Sequence, residues 1–302
     1  MSNQIFEKKN VLVTGGAGFF GSHLCERLLK EANVICMDNF SNSSAENINH
    51  LLQYPDFEFI NCDVNKPIDL DKFDELDKFK VKFQGIQEIY HLACPTNPKD
   101  FEKLKLEALW SNSSAMINTL DLAAKYHAKY VFTSSSVVYG EPTAKKHIFT
   151  ESDQGIVNQL SARACYDEGK RFAETCVETY FQMHGIDAKI ARFSTSLCYV
   201  SDIIDGLVRL MAAGPEVRLV NLGGDTIYKM ADIAKQIIKL TNSTSQVVFE
   251  KPLLFLTQKG APDLAYAKDV LGWMPLVRLE DGLQKAIDYV IANKEALLFN
   301  HL

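Results

Sequence analysis

Over the first 193 residues, short and mostly apolar runs alternate with longer stretches whose apolar positions recur at helical spacing. Val11–Thr14, Val34–Asp38, Phe57–Val64, Glu88–Ala93, Tyr130–Ser134 and Lys189–Phe193 read as strands, and Ser22–Lys30, Leu104–Tyr126 and Tyr166–His184 as helices. Strands apolar on both faces and separated by helices predict an α/β fold, a doubly wound parallel sheet covered on both sides. The charged run Asp69–Phe83 carries Phe73, Leu76, Phe79 and Phe83 at near-helical spacing and reads as an amphipathic surface helix between the third and fourth strands.

After Phe193 the pattern changes. Ile203–Ala212 and Met230–Leu240 read as helices, and Arg218–Leu222 and Gln246–Glu250 as strands. A closing helix over residues 281–292 puts Leu283, Ile287, Val290 and Ile291 on one face. The expected division is a nucleotide-binding domain over residues 1–193 and a smaller α+β substrate lobe over 194–302, with 218–224 returning to the main sheet.

Composition narrows the class. The chain has 302 residues, 47% of them hydrophobic, and a net charge of −6, which supplies a large core and no electrostatic reason to bind nucleic acid or an anionic membrane. No apolar stretch approaches the roughly 20 residues a bilayer span needs, and MSNQIFEKKNVLV does not read as a secretory leader. The seven cysteines are odd in number, scattered and never in a C-x-x-C pair, which fits reduced thiols in a cytoplasmic protein and no metal site.

Thr14-Gly15-Gly16-Ala17-Gly18-Phe19-Phe20-Gly21 follows an apolar strand and opens a helix. Gly15, Gly18 and Gly21 permit a tight turn, a close approach to a pyrophosphate and close packing of helix on strand, the Rossmann arrangement. Asp38 ends the next strand about 20 residues on, the position from which a carboxylate accepts the adenosine ribose hydroxyls and repels a 2′-phosphate, favouring NAD over NADP. The alternative for Asp38 is a turn aspartate in Asp38-Asn39-Phe40-Ser41. Asp63, at the end of the third strand, is a candidate adenine neighbour or a turn former.

Tyr166 and Lys170 stand one helical turn apart on one face. A nearby ammonium and a nicotinamide cation both favour phenolate, so such a tyrosine serves as a base near neutral pH. Thr133-Ser134-Ser135-Ser136 leave the C-terminal end of a strand, where open α/β sheets place ligands, and Ser135 or Ser136 can donate to a reacting oxygen. Serines there also serve as plain caps.

These segments together resemble an extended short-chain dehydrogenase/reductase acting on nucleotide sugars, and most closely the UDP-glucuronate decarboxylase (UDP-xylose synthase) group. The resemblance runs through VLVTGGAGFFGSHL (11–24), DNF (38–40), YHLACPTNP (90–98), ACYDEGKRFAET (164–175), CYVSDIIDGLVRLM (198–211), VNLGG (220–224) and LGWMPLVRLEDGL (271–283). It implies that Gly15, Gly18, Phe19, Phe20, Gly21, Asp38, Asn39, Asp63, Ala93 and Asn112 hold NAD together with Tyr166 and Lys170. It also implies that Tyr166 is the catalytic base, Lys170 its helper and Ser135 the supporting hydroxyl, with Ser136, Pro95 and Arg192 toward a UDP-linked sugar. Such an enzyme oxidises the sugar at C4, releases the carboxylate as CO₂ and returns the hydride. Group members commonly pair as homodimers through the two long helices, here near 104–126 and 166–184.

Three departures stand out. The group's glutamate two residues before Tyr139-Gly140 is Val137, which neither exchanges protons nor orients water, a contribution otherwise of about 10²–10⁴ in rate. Val137 also argues against a 4,6-dehydratase, which needs an acidic pair there. Gln258-Lys259-Gly260-Ala261-Pro262-Asp263 keeps one positive charge where the group is rich in arginine. Ala191-Arg192-Phe193-Ser194-Thr195-Ser196 runs almost directly into Leu197-Cys198-Tyr199-Val200-Ser201-Asp202, so a block of the substrate lobe is missing. Arg192 and Arg209 are then the remaining candidate phosphate contacts, or surface and interlobe residues. Two other readings stay open: a 4-epimerase or 4-oxidoreductase, and a non-catalytic NAD-binding scaffold.

Overall fold

The computed structural model describes residues 8–97, 102–143, 146–194, 196–251 and 260–293. Its strands are β1 (Lys9–Thr14), β2 (Ala32–Asp38), β3 (Phe57–Asn61), β4 (Glu88–His91), β5 (Lys129–Ser135), β6 (Ile148–Phe149), β7 (Ala188–Phe193), β8 (Leu219–Leu222) and β9 (Ala261–Pro262). Its helices are α1 (Phe19–Leu28), α2 (Val81–Gln84), α3 (Lys105–Ser111), α4 (Ser114–Tyr126), α5 (Ala164–His184), α6 (Val200–Ala212), α7 (Met230–Leu240), α8 (Ala265–Leu271) and α9 (Leu279–Ala292). Seven strands form one parallel sheet in the order β3-β2-β1-β4-β5-β7-β8, and β6 pairs with β9 apart from it. The sheet grows outward in one direction through β3 and in the other from β4, so the crevice beyond the carboxyl ends of β1 and β4 is its topological switch point.

Alternation along β1 divides the core in two. Val11 and Val13 face α1 and α6, where Leu24, Leu28, Leu207, Leu210 and Trp273 are buried. Leu12 faces the opposite layer with Ile35, Met37, Met116, Leu120, Phe132 and Val177 from β2, α4, β5 and α5. Trp273 locks the chain after α8 onto α6: its indole N–H donates to the Asp202 carbonyl at 2.8 Å, and the Asp202 carboxylate accepts the amides of Leu276 and Val277. The expected return of 218–224 corresponds to β8, the edge strand beside β7.

Several local expectations change. The 69–83 run is not one helix but two short 3₁₀ segments, Leu70–Lys72 and Asp74–Phe79, followed by α2. Phe73, Leu76 and Phe79 are spaced by three, the 3₁₀ period, so they share a face; Leu76 and Phe79 are buried, while Lys80 at φ 51° ends the run and leaves Phe83 in solvent. The 104–126 helix breaks at Asn112-Ser113 because Asn112, Ser113 and Ser114 turn their side chains back onto the carbonyls four residues earlier. Gln246–Glu250 forms no strand. The predicted apolar face of the last helix exists, but α9 buries none of its residues and α7 buries Ile233 alone.

His91, at the end of β4, is buried between Thr14, whose hydroxyl lies 2.7 Å from Nδ1, and the rings of Tyr130 and Phe132. Burial, aided by the nearby Lys170 charge, depresses its pKa to about 3. Because the folded value lies below the unfolded one of about 6.5, this imidazole is neutral in both states above pH 6.5 and costs nothing there. As pH falls below 6.5 the unfolded chain takes up a proton that the folded one refuses, so stability falls, by about 2 kcal/mol at pH 5. Urea unfolding across pH 5–7 is expected to show that loss in the wild type and much less of it in His91→Gln; equal losses would assign the acid sensitivity elsewhere.

Candidate active site

The cleft at the switch point, of about 450 Å³, begins where β1 turns into α1. Gly15 adopts φ +71°, and a Cβ there would come within 2.8 Å of the Leu92 and Ala93 backbone. Gly21 is tighter still: its Cβ would lie 2.1 Å from the Gly15 carbonyl oxygen, so the first turn of α1 rests directly on the glycine turn. Gly18 precedes α1 without a side-chain cap, leaving the first-turn amides for an anion. Asp38 serves the protein as well as a ligand. Its carboxylate accepts Ala17 N at 3.1 Å, Phe40 N at 2.9 Å and the Ser43 hydroxyl at 2.7 Å, which makes it both the turn aspartate and a wall of the cleft.

Phe19, Phe20, Asn39, Asp63, Ala93 and Pro95 line this cleft with the glycines, and Ser135, Tyr166 and Lys170 close its far end. Three expected residues sit elsewhere. Asn112 is buried behind the wall, donating to Ala108 O and to the Cys94 sulfur, with Gly169 of α5 packed on it. Ser136 is buried in the turn after β5. Arg192 is committed to a bidentate pair with Glu174 at 2.7 and 2.9 Å, donates also to Glu151 O, and covers the Tyr139 ring. Arg209 likewise braces the molecule, bonding Asp205 and the carbonyls of Leu271 and Gly272. Gln258 and Lys259 lie outside the described residues.

Ser41–Ser43, Asn65, Glu107 and Ser111 also line the cleft and escaped the sequence reading. Glu107 and Ser111 are four apart on α3, one helical face, and Asn65 follows Asp63 by two, which is the signal that was available.

The chemistry of the far end is set by burial. Lys170 is fully enclosed, donates to Thr133 O at 2.9 Å and lies 4.6 Å over the Phe132 ring and 5.8 Å from the Tyr166 ring. Loss of water pulls its pKa down. Burial pushes the Tyr166 phenol up, as does the Cys94 sulfur, while a hydrogen bond with Ser135 and the charge of Arg163 pull it down. Val137, Cys94 and Cys165 pack around Tyr166, so the surface beside the phenol is apolar where a carboxylate was a candidate.

These residues fit NAD. The glycine cradle admits a backbone-close pyrophosphate, and the buried, unpartnered oxygens Asn65 Oδ1 and Glu107 Oε2 offer acceptors on the wall of the cleft. Overpacking at Gly21 costs about 1–3 kcal/mol. Taken from binding, that weakens NAD about tenfold to a hundredfold in Gly21→Ala. Gly18→Ala, whose Cβ meets only Gly15 O at 3.2 Å, is expected to lose less in the same calorimetric titration.

Comparison with known proteins agrees with this geometry. The model of the NAD dependent epimerase/dehydratase family matches residues 11–197, ending where β7 passes toward α6. The chain is 34% identical to UDP-glucuronic acid decarboxylase 6 of Arabidopsis thaliana, covering 94% of this chain and 90% of that one. That alignment runs over 324 positions, more than the 302 residues present here, so the relative carries residues without a counterpart in this chain. Among solved structures, an epimerase from Methanothermobacter thermautotrophicus superposes with a TM-score of 0.81 at 23% identity over 96% of this chain and 94% of that one. The NAD complex of UDP-glucuronic acid 4-epimerase from Bacillus cereus does so at 0.76 and 24%, over 94% and 99%. A glycine turn, a strand-end aspartate and a tyrosine–lysine pair at one switch point, with a family model matched over more than half of the chain, lead to one conclusion: this chain belongs to the NAD dependent epimerase/dehydratase family.

Proposed function

We propose that the protein is a UDP-glucuronate decarboxylase that works with tightly held NAD. The observation that carries this reading is the convergence of Ser135, Tyr166 and Lys170 at one end of the cleft in a chain 34% identical to a UDP-glucuronic acid decarboxylase. NAD, held by the glycine turn and Asp38, would supply a hydride acceptor at the sugar C4 and return the hydride to the same carbon. Tyr166 takes the C4 hydroxyl proton as that carbon is oxidised, and Ser135 holds the same oxygen. Lys170, fixed by Thr133 O, keeps the phenol's surroundings positive and faces the cofactor ribose. The resulting 4-ketone stands β to the carboxylate, so the C5–carboxyl bond breaks with its electron pair delocalised into the ketone and CO₂ leaves; C5 then takes a proton from solvent, and Tyr166 returns its proton to the C4 oxygen as the ketone is reduced again. Val137 moves no proton, so this step proceeds without the glutamate that the group carries there.

A second reading has a specific basis. The uncovered faces of α7 and α9, with the relative's extra residues lacking here, favour an NAD-binding homologue without turnover. The exposed Leu109, Trp110 and Phe172 on α3 and α5 are assigned in either case to a twofold contact between copies of the chain.

Incubation of the NAD-loaded protein with UDP-glucuronate, followed by mass spectrometry, is expected to give a UDP-pentose. Tyr166→Phe should lower turnover by at least about 10² while NAD stays bound. An unchanged mass, with no 4-epimer resolved by chromatography, would decide for the non-catalytic reading over turnover of this substrate. Light scattering is expected to give a dimer, and Trp110→Glu with Phe172→Glu a monomer; a monomeric wild type would remove the helical contact.

A further inference from the structure

Two cations flank the ring of Tyr166. Lys170 is turned toward Phe132 and spends its hydrogen bond on Thr133 O. Arg163, three residues before Tyr166 at the start of α5, holds its guanidinium 5.2 Å from the centre of the Tyr166 ring, nearer than the 5.8 Å of the Lys170 ammonium. Asp167 clamps it there, accepting Arg163 Nε at 2.7 Å in a pair of which little is exposed. The backbone tightens the same unit, since the amides of Tyr166 and Asp167 both donate to the Arg163 carbonyl. A guanidinium stays charged under conditions in which a buried ammonium loses its proton.

We propose that Arg163, clamped by Asp167, is a positioning residue that adds a second fixed positive charge stabilising the Tyr166 phenolate, beside the ammonium of Lys170. The inference rests on Tyr166 being the base of the reaction. Among the described residues, the groups around the phenol include Cys94 from the loop after β4, the Ser135 hydroxyl from β5, Val137 from the turn that follows, and Cys165, Asp167 and Lys170 from α5 itself. Cys94 and Asp167 oppose ionisation, whereas Ser135 and Arg163 favour it. At the start of α5, Arg163 is thus a cation poised over the ring in addition to Lys170, which also holds the strand end through Thr133 O.

The test needs no substrate. The near-ultraviolet phenolate absorbance of NAD-loaded protein is titrated with alkali, and the same titration of Tyr166→Phe is subtracted to isolate the Tyr166 component. In Arg163→Gln the midpoint of that component is expected to rise by about one pH unit, a tenfold loss of phenolate at a given pH. Arg163→Met, whose stem keeps the packing over the ring, should rise equally and serves if the glutamine variant does not fold. Arg163→Lys, which restores a charge, should stay within a few tenths of a unit of wild type. A wild-type midpoint in both charge-removing variants, or a wild type whose Tyr166 component never titrates before unfolding, overturns the proposal. Failure to turn over UDP-glucuronate while these shifts persist would count against the proposed activity and leave the role of Arg163 standing.

Discussion

The contact on which this molecule depends is the seat of α1 on the Gly15–Gly16 turn. With the Gly21 Cα so close to the Gly15 carbonyl that a Cβ would stand 2.1 Å from its oxygen, the helix can take one position only. That position aims the first-turn amides into the cleft and directs Leu24 and Leu28 into the layer they share with α6. It also brings Ala17 N within reach of Asp38, so that the glycine turn and the end of β2 are tied by one carboxylate. Cofactor cradle and core are therefore two sides of one packing event, and loss of either disturbs the other.

At the far end of the cleft a polar network does the work that packing does near α1. Glu174 of α5 accepts the Ser134 hydroxyl from β5 and both sides of the Arg192 guanidinium from β7. Arg192 reaches the Glu151 carbonyl, and Glu151 in turn accepts the Asn221 amide of β8, whose side chain takes the Tyr139 hydroxyl. Such a buried pair is worth little net stability against an apolar replacement, yet removing one partner strands the other at a cost of about 3–5 kcal/mol. The network holds three strand ends and a helix at fixed spacing beside Tyr166, which is what a reacting group needs of its support.

The parallel sheet was legible because buried strands write continuous apolar runs, and the nucleotide end because glycine spacing and a strand-end aspartate are imposed by sterics. Ser135, Tyr166 and Lys170 were legible by spacing on one helix and one strand end. Arg192 was not, since nothing local distinguishes an arginine reaching a ligand from one reaching Glu174 eighteen residues away. The charged run at 69–83 misled because a spacing of three fits one 3₁₀ face as well as it fits a helix, and the choice falls to Lys80 and its left-handed backbone. Asn65, Glu107 and Ser111 were hidden for the opposite reason: their meaning lies in a cleft wall assembled from three separate elements.

The sparse burial of α7 and α9 gives the chain two tiers of cooperativity. Strands β1, β4 and β5, closed in on both faces, exchange their amide hydrogens only when the whole sheet opens. Helices α7 and α9 bury far less, Ile233 in the first and no side chain in the second, whose Gly282 lies against Tyr199. Local opening therefore costs least at these two helices, away from the glycine turn that seats the cofactor.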